Sequence, residues 1–366
     1  MAELHVGLGK SSYTILIENG LRHRLPQEIK KIYSGKKIAV ITDHNVNAHY
    51  GAQLEEGLQA AGYETLVVVL PAGEQTKDFQ MLPQIYDQLL DFQLNRSELI
   101  IALGGGVIGD LAGFAAASFL RGVPFIQIPT SLLAQVDSSI GGKVGVDLAR
   151  GKNLVGAFYQ PKKVFIDPEM LNTLSDHFFR DGLGEVIKYS GMAEVIKYGC
   201  IKDAEFFSFL ETLHTREELM AHIEKILYKC CDIKRRVVEE DEKDTGERML
   251  LNFGHTIAHA LETYTHYSKY SHGEAVAIGM VAITRLSEKK GFTKPGTAAA
   301  IKALAKQVGL PTELNIGEFD LDSLLAIMTL DKKNLDNHLK VILLKEIGNS
   351  YVQNETIAFF DGLENM

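Results

Sequence analysis

The stretch ELIIALGGGVIGDLAGF (98–114) decides the fold class of this chain. Its first half is a short apolar run typical of a buried β-strand, and its second half has apolar residues at helical spacing. Three consecutive glycines at 104–106 join the two halves. Such glycines let backbone N–H groups approach a phosphate at the start of a helix, and they would equally serve a tightly packed strand–helix turn. In an ordinary dinucleotide-binding fold the GxGxxG motif follows the first strand, whereas this glycine loop follows a later one, which argues against that fold.

The sequence on either side repeats this alternation of strand and helix. Apolar, β-branched runs predict further strands, with helical stretches at 47–61 and 78–91. The runs are LHVGLG (4–9) and YTILIE (13–18), which form a predicted hairpin, and KKIAVIT (36–42), ETLVVVL (64–70), PFIQIP (124–129) and KKVFID (162–167). Strands that alternate with helices form a parallel sheet. We therefore expect an α/β domain over residues 1–175.

The pattern changes after Pro168. Apolar positions then recur at helical spacing over 178–236, 249–265, 273–290 and 296–308. We therefore expect a second, mostly α-helical domain over residues 176–366.

The composition excludes several classes of protein. Of the residues, 46% are apolar, and the net charge is −9, whereas nucleic-acid binders are usually basic. The chain has three cysteines, two of them adjacent at 230 and 231, which does not indicate a disulfide framework and fits a reducing cytoplasm. We expect neither a signal peptide nor a membrane span, because no apolar run has the necessary length and flanks. An acidic protein can still bind an anionic small molecule in a local basic pocket.

Two polar loops follow predicted strands. Asp43 and Asn45 come after KKIAVIT, and Glu74 and Lys77 lie in PAGEQTK (71–77) after the next strand. An aspartate at the end of an early strand can hold ribose hydroxyls, but it is also a common helix N-cap. Because α/β sheets bind ligands at the carboxyl ends of their strands, these loops and the glycine loop together favour a ligand site.

The stretch TSLLAQVDSSIGGKVGVDLARGKNLVGAFYQP (130–161) is rich in glycine and carries Lys143, Lys152 and Asn153. We expect a long loop whose spaced ammonium groups neutralise a phosphate or carboxylate of a substrate. Farther along, Lys234, Arg248 and Asn252 stand out from a charged segment because they flank a predicted helix that carries histidines.

Three histidines suggest a metal site. His255 and His259 are four residues apart in NFGHTIAH (252–259), and His272 follows in SHGEAV (271–276). Neutral imidazole is a good ligand for Zn²⁺, which at catalytic sites takes about three protein ligands and keeps one position open. From spacing alone, both His255 and His259 are candidate ligands, and a carboxylate is needed to complete the set.

The doubled stretch GLGEVIKYSGMAEVIKYG (182–199) offers that carboxylate twice. Its copies place Glu185 three residues before Lys188, and Glu194 three residues before Lys197. Glutamate and lysine at this spacing lie on one face of a helix. Nine residues rotate a continuous helix by about 900°, so the two glutamates would point to opposite faces and only one copy can serve a given site.

The chain resembles the 3-dehydroquinate synthases of the shikimate pathway over nearly its whole length. The motifs of that family stand in order: GGGVIGD, QVDSSIGGK, GKNLVGAFYQP, EVIKYG, LNFGHTIAHALE, HGEAVAIGM and LDKKN. The resemblance implies an N-terminal NAD-binding α/β domain and a C-terminal helical domain, with the active site between them. It also implies NAD and one Zn²⁺ or Co²⁺ as cofactors, a small anionic sugar phosphate as substrate, and a cytoplasmic homodimer.

The resemblance assigns roles to individual residues. NAD would be held by Asp43, Asn45, Ala72, Gly73, Glu74, Gln75, Thr76, Lys77, Gly105, Gly106, Val107, Ile108, Gly109, Asp110, Thr130, Ser131, Lys143, Lys152, Met170, Leu171, Asn172 and Thr173. Substrate would be bound by Asp137, Lys143, Lys152, Asn153, Lys197, Lys234, Arg248, Asn252 and His259, by one of Lys332 and Lys333, and by Arg121, which would reach the partner subunit's site. Glu194, His255 and His272 would bind the metal. His259 is then left for the substrate, which corrects the HxxxH interpretation.

The family has a single EVIK, so the resemblance implies a nine-residue insertion in this chain. The family spacing points to Glu185 when it is counted forward from Thr173 and to Glu194 when it is counted backward from KYGCIKDAEFF, so the sequence leaves both copies open. GMAEVIKYG matches the family pattern better than GLGEVIKYS, and we favour Glu194 with Lys197 as the working pair. We expect Gly191 to break the helix so that the first copy loops out or adds turns. Glu185 and Lys188 would then form a solvated ion pair of little energetic weight.

The implied reaction converts 3-deoxy-D-arabino-heptulosonate 7-phosphate to 3-dehydroquinate and phosphate, which makes the enzyme a lyase. In that family NAD⁺ oxidises a ring hydroxyl, phosphate is eliminated, NADH returns the hydride, and the opened ring closes by an internal aldol reaction. The metal acts as a Lewis acid, and cationic side chains hold the substrate's carboxylate and phosphate. The alternatives are another sugar-phosphate cyclase, a polyol dehydrogenase similar to glycerol dehydrogenase, and a non-catalytic NAD sensor, against which the full set of cations argues.

Overall fold

The computed structural model describes residues 1–149, 151–173, 185–266, 268–315, 319–330 and 339–363. Contacts within the chain divide it into two compact units. Unit 1 comprises Met1–Ser175 and Glu224–Glu242, and unit 2 comprises Asp176–Ile223 and Lys243–Met366. The expected contiguous division differs from these units in the segment Glu224–Glu242, which belongs to unit 1.

Unit 1 contains a seven-stranded sheet that confirms the predicted parallel strands and the predicted N-terminal hairpin. Its strands are β1 (Ala2–Val6), β2 (Tyr13–Ile17), β3 (Lys37–Asp43), β4 (Glu64–Leu70), β5 (Leu99–Gly104), β6 (Phe125–Pro129) and β9 (Lys163–Ile166). Their order is β1-β2-β9-β6-β5-β3-β4. The β1–β2 pair is antiparallel, and the other neighbouring pairs are parallel.

Helices cover both faces of this sheet, which explains why β5 is a continuous apolar run. The helices are α1 (Leu25–Ile32), α2 (Ala52–Ala60), α3 (Met81–Asp91) and α4 (Gly106–Ser118). Ile100 and Ala102 of β5 pack in one buried cluster with α3 and α4. Ile101 and Leu103 point to the other face and pack with α1 and α2. Strands buried on both faces lose the apolar–polar alternation of a half-exposed strand.

The expected long loop over 130–161 is wrong for most of its length. After a helical turn at Ala134–Ser138, the chain forms an antiparallel hairpin of β7 (Lys143–Leu148) and β8 (Gly151–Phe158). Val144 and Val146 are buried in the core. A Cβ at Gly156 would lie 2.2 Å from the carbonyl oxygen of Val144. The glycines therefore permit close contact between two strands, and they do not mark a flexible loop.

Unit 2 is mostly helical, as predicted. The helices of the second half of the chain are α5 (Glu185–Lys202), α6 (Ala204–Glu211), α7 (Arg216–Ala221), α8 (Ile223–Glu240), α9 (His255–Tyr264), α10 (His272–Lys289), α11 (Thr297–Gln307) and α12 (Leu321–Leu330). All except α8, which beyond its first residue belongs to unit 1, lie in unit 2. Among the described residues, no helix combines the length and the apolar character needed to cross a membrane.

The expected break at Gly191 is wrong, because α5 runs through it without interruption. Residues 191–200 are all buried, so packing around this part of the helix outweighs the cost of about 1 kcal/mol for one internal glycine. The first copy of the doubled stretch therefore adds turns to the helix from Glu185 onward and does not loop out there.

A hairpin near the end of unit 2 was not predicted. It consists of β10 (Leu339–Glu346) and β11 (Asn349–Glu355), which pair in antiparallel register. Its turn contains Gly348, whose φ is +83°. The hairpin contacts the C-terminal end of α5, since the Gly348 N–H donates to the Cys200 carbonyl at 2.8 Å and the Ser350 hydroxyl donates to the Ile201 carbonyl at 3.0 Å.

Helices α9 and α10 approach each other closely at two glycines. Gly254 precedes α9 with a left-handed φ of +82°, and Gly279 lies within α10. A Cβ at Gly279 would lie only 2.2 Å from the carbonyl oxygen of Gly254. No side chain fits between these backbones, so the separation of α9 and α10 is fixed at this point.

We predict that Gly279→Ala lowers both the melting temperature and the zinc affinity. The added methyl must push α9 away from α10, at a cost of about 1–3 kcal/mol. Differential scanning calorimetry and a chelator-competition titration measure the two effects. Gly113→Ala is the matched control, because its Cβ would lie 2.4 Å from Val144 Cγ1 in unit 1 and should lower stability while zinc affinity is kept. A Gly279→Ala protein with unchanged stability and zinc affinity would contradict this account.

Candidate active site

Three side chains from three helices of unit 2 meet in an arrangement suited to a metal ion. Glu194 of α5, His255 of α9 and His272 of α10 each offer one ligand atom, and these atoms all lie within 4.8 Å of one another. The set is a carboxylate with two imidazoles, which is a common donor set of catalytic zinc. These are the three residues that the resemblance implies as ligands.

His255 and His272 are each the first residue of a helix, and the local structure fixes where that helix begins. His255 is the first residue of α9, directly after the left-handed Gly254. His272 is the first residue of α10 and follows the N-cap Ser271. A capping box holds that end, since the Ser271 hydroxyl accepts from the Glu274 N–H and the Glu274 carboxylate accepts from the Ser271 N–H. Both imidazoles are therefore carried by well-anchored helix starts.

Each histidine has its Nδ1 next to a hydrogen-bond acceptor. Nδ1 of His255 lies 3.1 Å from the carbonyl oxygen of Phe253, and Nδ1 of His272 lies 3.1 Å from Oε1 of Glu262. An acceptor at Nδ1 favours the proton there and leaves the other ring nitrogen as a ligand atom. Both rings are thus in a form that can bind a metal.

The electrostatics of His255 and Glu194 also fit a cation. Burial, together with the nearby Lys197 ammonium, holds the pKa of His255 well below its ordinary value, so the ring is neutral at pH 7. Burial lowers the pKa of His272, but the hydrogen bond and charge of Glu262 outweigh it and raise that pKa overall. Glu194 is buried, and its Oε1 has no hydrogen-bond partner among the described residues. A divalent cation would satisfy this oxygen, so the residues present fit a metal ion.

Two further predicted residues lie beside these three, and two more lie in the turn that leads to α9. Lys197, also buried, donates to Oε2 of Glu194 one helical turn before it. The ring of His259 lies 5.5 Å from that of His255 and 6.3 Å from that of His272, centroid to centroid. Arg248 is buried in the 3-10 turn Glu247–Asn252 that leads to α9, and Asn252 ends that turn. The group of three whose ligand atoms lie within 4.8 Å of one another does not include His259.

In unit 1 a buried lysine in the loop after β4 contacts both α4 and β8. Nζ of Lys77 lies 2.5 Å from a carboxylate oxygen of Asp110 and 2.5 Å from the side-chain oxygen of Asn153. Asn153 has a left-handed φ of +56°, and its N–H donates to Asp147 at 2.7 Å. Nearby, Lys152 forms a 2.9 Å ion pair with Glu74. Three predicted NAD residues, Glu74, Lys77 and Asp110, therefore contact the predicted substrate residues Lys152 and Asn153.

A second cation of unit 1 is held by the turn after β6. Nζ of Lys234 donates both to the carbonyl oxygen and to Oδ1 of Asp137, at 2.7 and 2.8 Å. Lys234 is buried, which makes this double contact necessary to compensate its charge.

The glycine loop after β5 has the shape of a cradle for a cofactor phosphate. Gly105 and Gly106 open α4 without any side-chain cap. A Cβ at Gly105 would lie 3.3 Å from Oγ of Ser131, and one at Gly106 would lie 3.2 Å from Oγ of Ser138. The helix N-terminus therefore presents bare backbone N–H groups, as nucleotide phosphates require, and NAD fits the residues present.

The other predicted NAD residues have local structural roles of their own. Asp43 is an N-cap, since its Oδ1 accepts from the N–H groups of Asn45 and Val46. Thr173 donates to the Met170 carbonyl, which also accepts from Tyr50. The remaining predicted residues lie in the loop after β4 (Ala72, Gly73, Gln75, Thr76), in the first turn of α4 (Val107, Ile108, Gly109), after β6 (Thr130, Ser131), at the start of β7 (Lys143) and in the turn after β9 (Leu171, Asn172).

Some predicted residues lie apart from these clusters or outside the described chain. Arg121 is exposed in a turn after α4 with a left-handed φ of +64°. Lys332 and Lys333 lie outside the described residues. Glu185 and Lys188 are in the first turn of α5, and their side chains are likewise outside the description.

Asp147 and Glu262 are among the residues that contact the predicted sites and were not predicted. Asp147 accepts the N–H of Asn153, and Glu262 accepts from His272. Glu262 had a sequence signal, since HTIAHALE places it seven residues after His255 on the same helix face. Asp147 had none, because its role depends on the hairpin that the glycine-rich sequence concealed.

Comparisons with known proteins agree with this architecture. Family models match the chain as "3-dehydroquinate synthase N-terminal" over residues 67–181 and "3-dehydroquinate synthase C-terminal" over residues 191–334. A 3-dehydroquinate synthase of Clostridium beijerinckii is 57% identical over 360 residues, which cover 98% of this chain and 100% of the relative.

Solved structures show the same fold at lower identity. A 2-deoxy-scyllo-inosose synthase complexed with carbaglucose-6-phosphate, NAD⁺ and Co²⁺ has a TM-score of 0.85 at 22% identity and covers 100% of both chains. A 2-epi-5-epi-valiolone synthase from Streptomyces hygroscopicus, with NAD⁺ and Zn²⁺ bound, has a TM-score of 0.84 at 24% identity, covering 98% of this chain and 97% of that one. The chain therefore has the fold of these two synthases. The family models and the Clostridium relative show that it belongs to the 3-dehydroquinate synthase family.

We predict that His255→Ala, His272→Ala and Glu194→Ala each lose bound zinc, because each removes one of three ligands. His259→Ala and Glu185→Ala should keep it and serve as matched controls. Elemental analysis of the purified variants gives the zinc content per chain. Zinc lost from His259→Ala but kept in His272→Ala would refute the ligand set, and zinc lost from Glu185→Ala but kept in Glu194→Ala would identify the first copy as the working one.

Proposed function

We propose that this protein is a 3-dehydroquinate synthase that uses NAD and one Zn²⁺ or Co²⁺. It converts 3-deoxy-D-arabino-heptulosonate 7-phosphate to 3-dehydroquinate and phosphate, as a lyase of the shikimate pathway. The observation that carries the proposal is the meeting of Glu194, His255 and His272 in a chain that is 57% identical to a relative of that name. When bound, NAD supplies a transient hydride acceptor and the metal supplies a Lewis acid for a substrate hydroxyl.

The side chains of unit 2 would bind the charged and reacting groups of the substrate. Lys197 and Arg248 are buried cations, and a buried cation interacts strongly with a substrate carboxylate or phosphate. His259, on the same face of α9 as His255, would hold or accept a proton at a substrate hydroxyl. Asn252 would donate a hydrogen bond to it.

The side chains of unit 1 would hold NAD and add positive charge. Gly105 and Gly106 would receive the pyrophosphate at the start of α4, and Asp43 keeps one carboxylate oxygen beyond its capping bonds that could accept from ribose. Lys152 and Lys234 would bind anionic groups of the substrate, with Asp137 and Asn153 as hydrogen-bonding partners. Local positive charge of this kind lets a protein of net charge −9 bind a polyanion.

The second EVIK copy is the one we assign to the site. The N-terminal family model ends at residue 181, and the C-terminal family model begins at residue 191. The first copy, residues 182–190, therefore lies between the two matched regions. Glu194 and Lys197 lie within the matched region. Glu194 also belongs to the ligand set, which supports an insertion of the first copy ahead of an intact site.

We predict repeated turnover on substoichiometric NAD, because each hydride taken from the substrate is returned to it. The experiment follows phosphate release and NADH absorbance with the seven-carbon phosphate and less NAD than substrate. Glu194→Ala, which should release almost no phosphate, is the control for background hydrolysis. Phosphate release that stops after one equivalent of NAD, or accumulation of NADH as in a polyol dehydrogenase, would overturn the proposal. Faster release from a sugar phosphate without a carboxylate would indicate another cyclase.

We further propose a cytoplasmic homodimer. The three cysteines are free thiols buried in the structure, which is consistent with a reducing compartment. Leu154 and Phe158 lie on one face of β8, and their exposures are 59% and 46%. Exposed apolar side chains on one strand face are typical of a protein–protein contact. Leu120 and Arg121 adopt φ values of +49° and +64°, and such strained residues cluster at functional sites.

We predict that Leu154→Lys with Phe158→Lys converts the dimer to a monomer, measured by analytical ultracentrifugation.

If Arg121 acts in the partner subunit's site, inactive Arg121→Ala and inactive Lys197→Ala proteins should regain activity when their subunits are mixed. One site of the mixed dimer then has both residues intact. A monomeric wild type, or mixed dimers without activity, would rule out this arrangement.

A further inference from the structure

Helix α9 has a polar face where a buried helix usually has an apolar one. His255, His259 and Glu262 follow at intervals of four and three residues, which places them in one stripe. The Glu262 side chain is only 6% exposed. Burying a carboxylate is costly unless a specific partner compensates it. The contacts of the Glu262 carboxylate therefore indicate the role of this residue.

One partner, on the facing helix, is the ring of His272. Oε1 of Glu262 lies 3.1 Å from Nδ1 of His272, and the contact joins α9 to α10. A carboxylate at Nδ1 holds the proton on that nitrogen, so the opposite nitrogen keeps its lone pair for a ligand bond. It also increases the electron density of the ring and so its strength as a ligand.

His272 needs such a partner more than the other two ligands do. Its side chain is 34% exposed, whereas those of Glu194 and His255 are 1% and 11% exposed. Packing therefore fixes Glu194 and His255, and the ring of His272 has less packing to hold it. The capping box at Ser271 and Glu274 fixes the backbone of His272 but leaves the rotation of its ring free. The rings of His255 and His259 also lie near it, at 5.2 and 6.3 Å between centroids, but the contact with Glu262 is the hydrogen bond described for this ring and the one that sets its rotation.

We infer that Glu262 is a positioning residue of the metal site, which orients His272 and holds the proton on its Nδ1. This inference rests on the metal site proposed above. In this role Glu262 does not contact the substrate. Glu262 affects the reaction only by orienting His272.

The test compares Glu262→Ala and Glu262→Gln with wild type in zinc affinity and in the visible absorption of the Co²⁺-loaded protein. Loss of an outer partner of a ligating histidine usually weakens metal affinity about 10–100-fold. We expect a loss of that size in Glu262→Ala and a smaller one in Glu262→Gln, whose amide oxygen can still accept the Nδ1 proton. The cobalt spectrum should shift in both variants, since it reports the geometry and strength of the ligands. Glu28→Ala is the matched control, because it removes a buried glutamate of unit 1 that pairs with Lys31 at 2.8 Å.

The outcomes separate this inference from the proposed function. If His255→Ala loses zinc while both Glu262 variants keep wild-type affinity and an unshifted cobalt spectrum, the metal site stands and the positioning role is wrong. If His255→Ala keeps zinc, the metal site itself is wrong. If Glu262→Ala does not fold, the spectrum and affinity of Glu262→Gln decide the question alone.

Discussion

The close contact between the backbones of Gly254 and Gly279 is the constraint on which the candidate metal site depends. His255 follows Gly254 directly, and His272 lies seven residues, or about two turns, before Gly279 on the facing helix. Fixing the distance between α9 and α10 therefore fixes the distance between two ligands. Helix α10 also packs against α5, which carries the third ligand. The ligand set is a consequence of how three helices pack, and a single methyl group at the crossing would disturb it.

Buried charge recurs in both units and has the same physical meaning in each. Lys197 is buried beside Glu194 in unit 2, and Lys77 is buried beside Asp110 in unit 1. Buried ion pairs contribute little to stability, because desolvation offsets most of their attraction. Helix packing and the apolar clusters of the sheet supply the stability that such pairs do not. Such pairs place charged groups where water is excluded, and electrostatic interactions are stronger there than in water.

The parts of the fold that could be predicted are those with a strong local pattern of apolar residues. The parallel strands were predictable because each is an uninterrupted apolar run buried on both faces, as β5 shows. The β7–β8 hairpin could not be predicted, because glycines such as Gly145 and Gly156 usually indicate a loop. Their close backbone contact is seen only in the structure. Spacing alone also suggested His255 with His259 as ligands. It could not show that α10 returns His272 to the same place, since that depends on tertiary packing and not on the sequence near either histidine.

The doubled EVIK shows how tertiary anchoring decides between two identical local signals. Hydrogen bonds from the β10–β11 hairpin hold the C-terminal end of α5 at Cys200 and Ile201, and Gly199 lies against Phe207. A helix anchored at its C-terminal end keeps its rotation there, whatever is added at its beginning. Residues inserted before Gly191 lengthen α5 and leave Glu194 facing the two histidines. The same nine residues inserted after Glu194 would turn that carboxylate about half a turn away from them. The anchor, and not the sequence of either copy, therefore keeps Glu194 beside His255 and His272, which supports the proposed assignment of the second copy to the metal site.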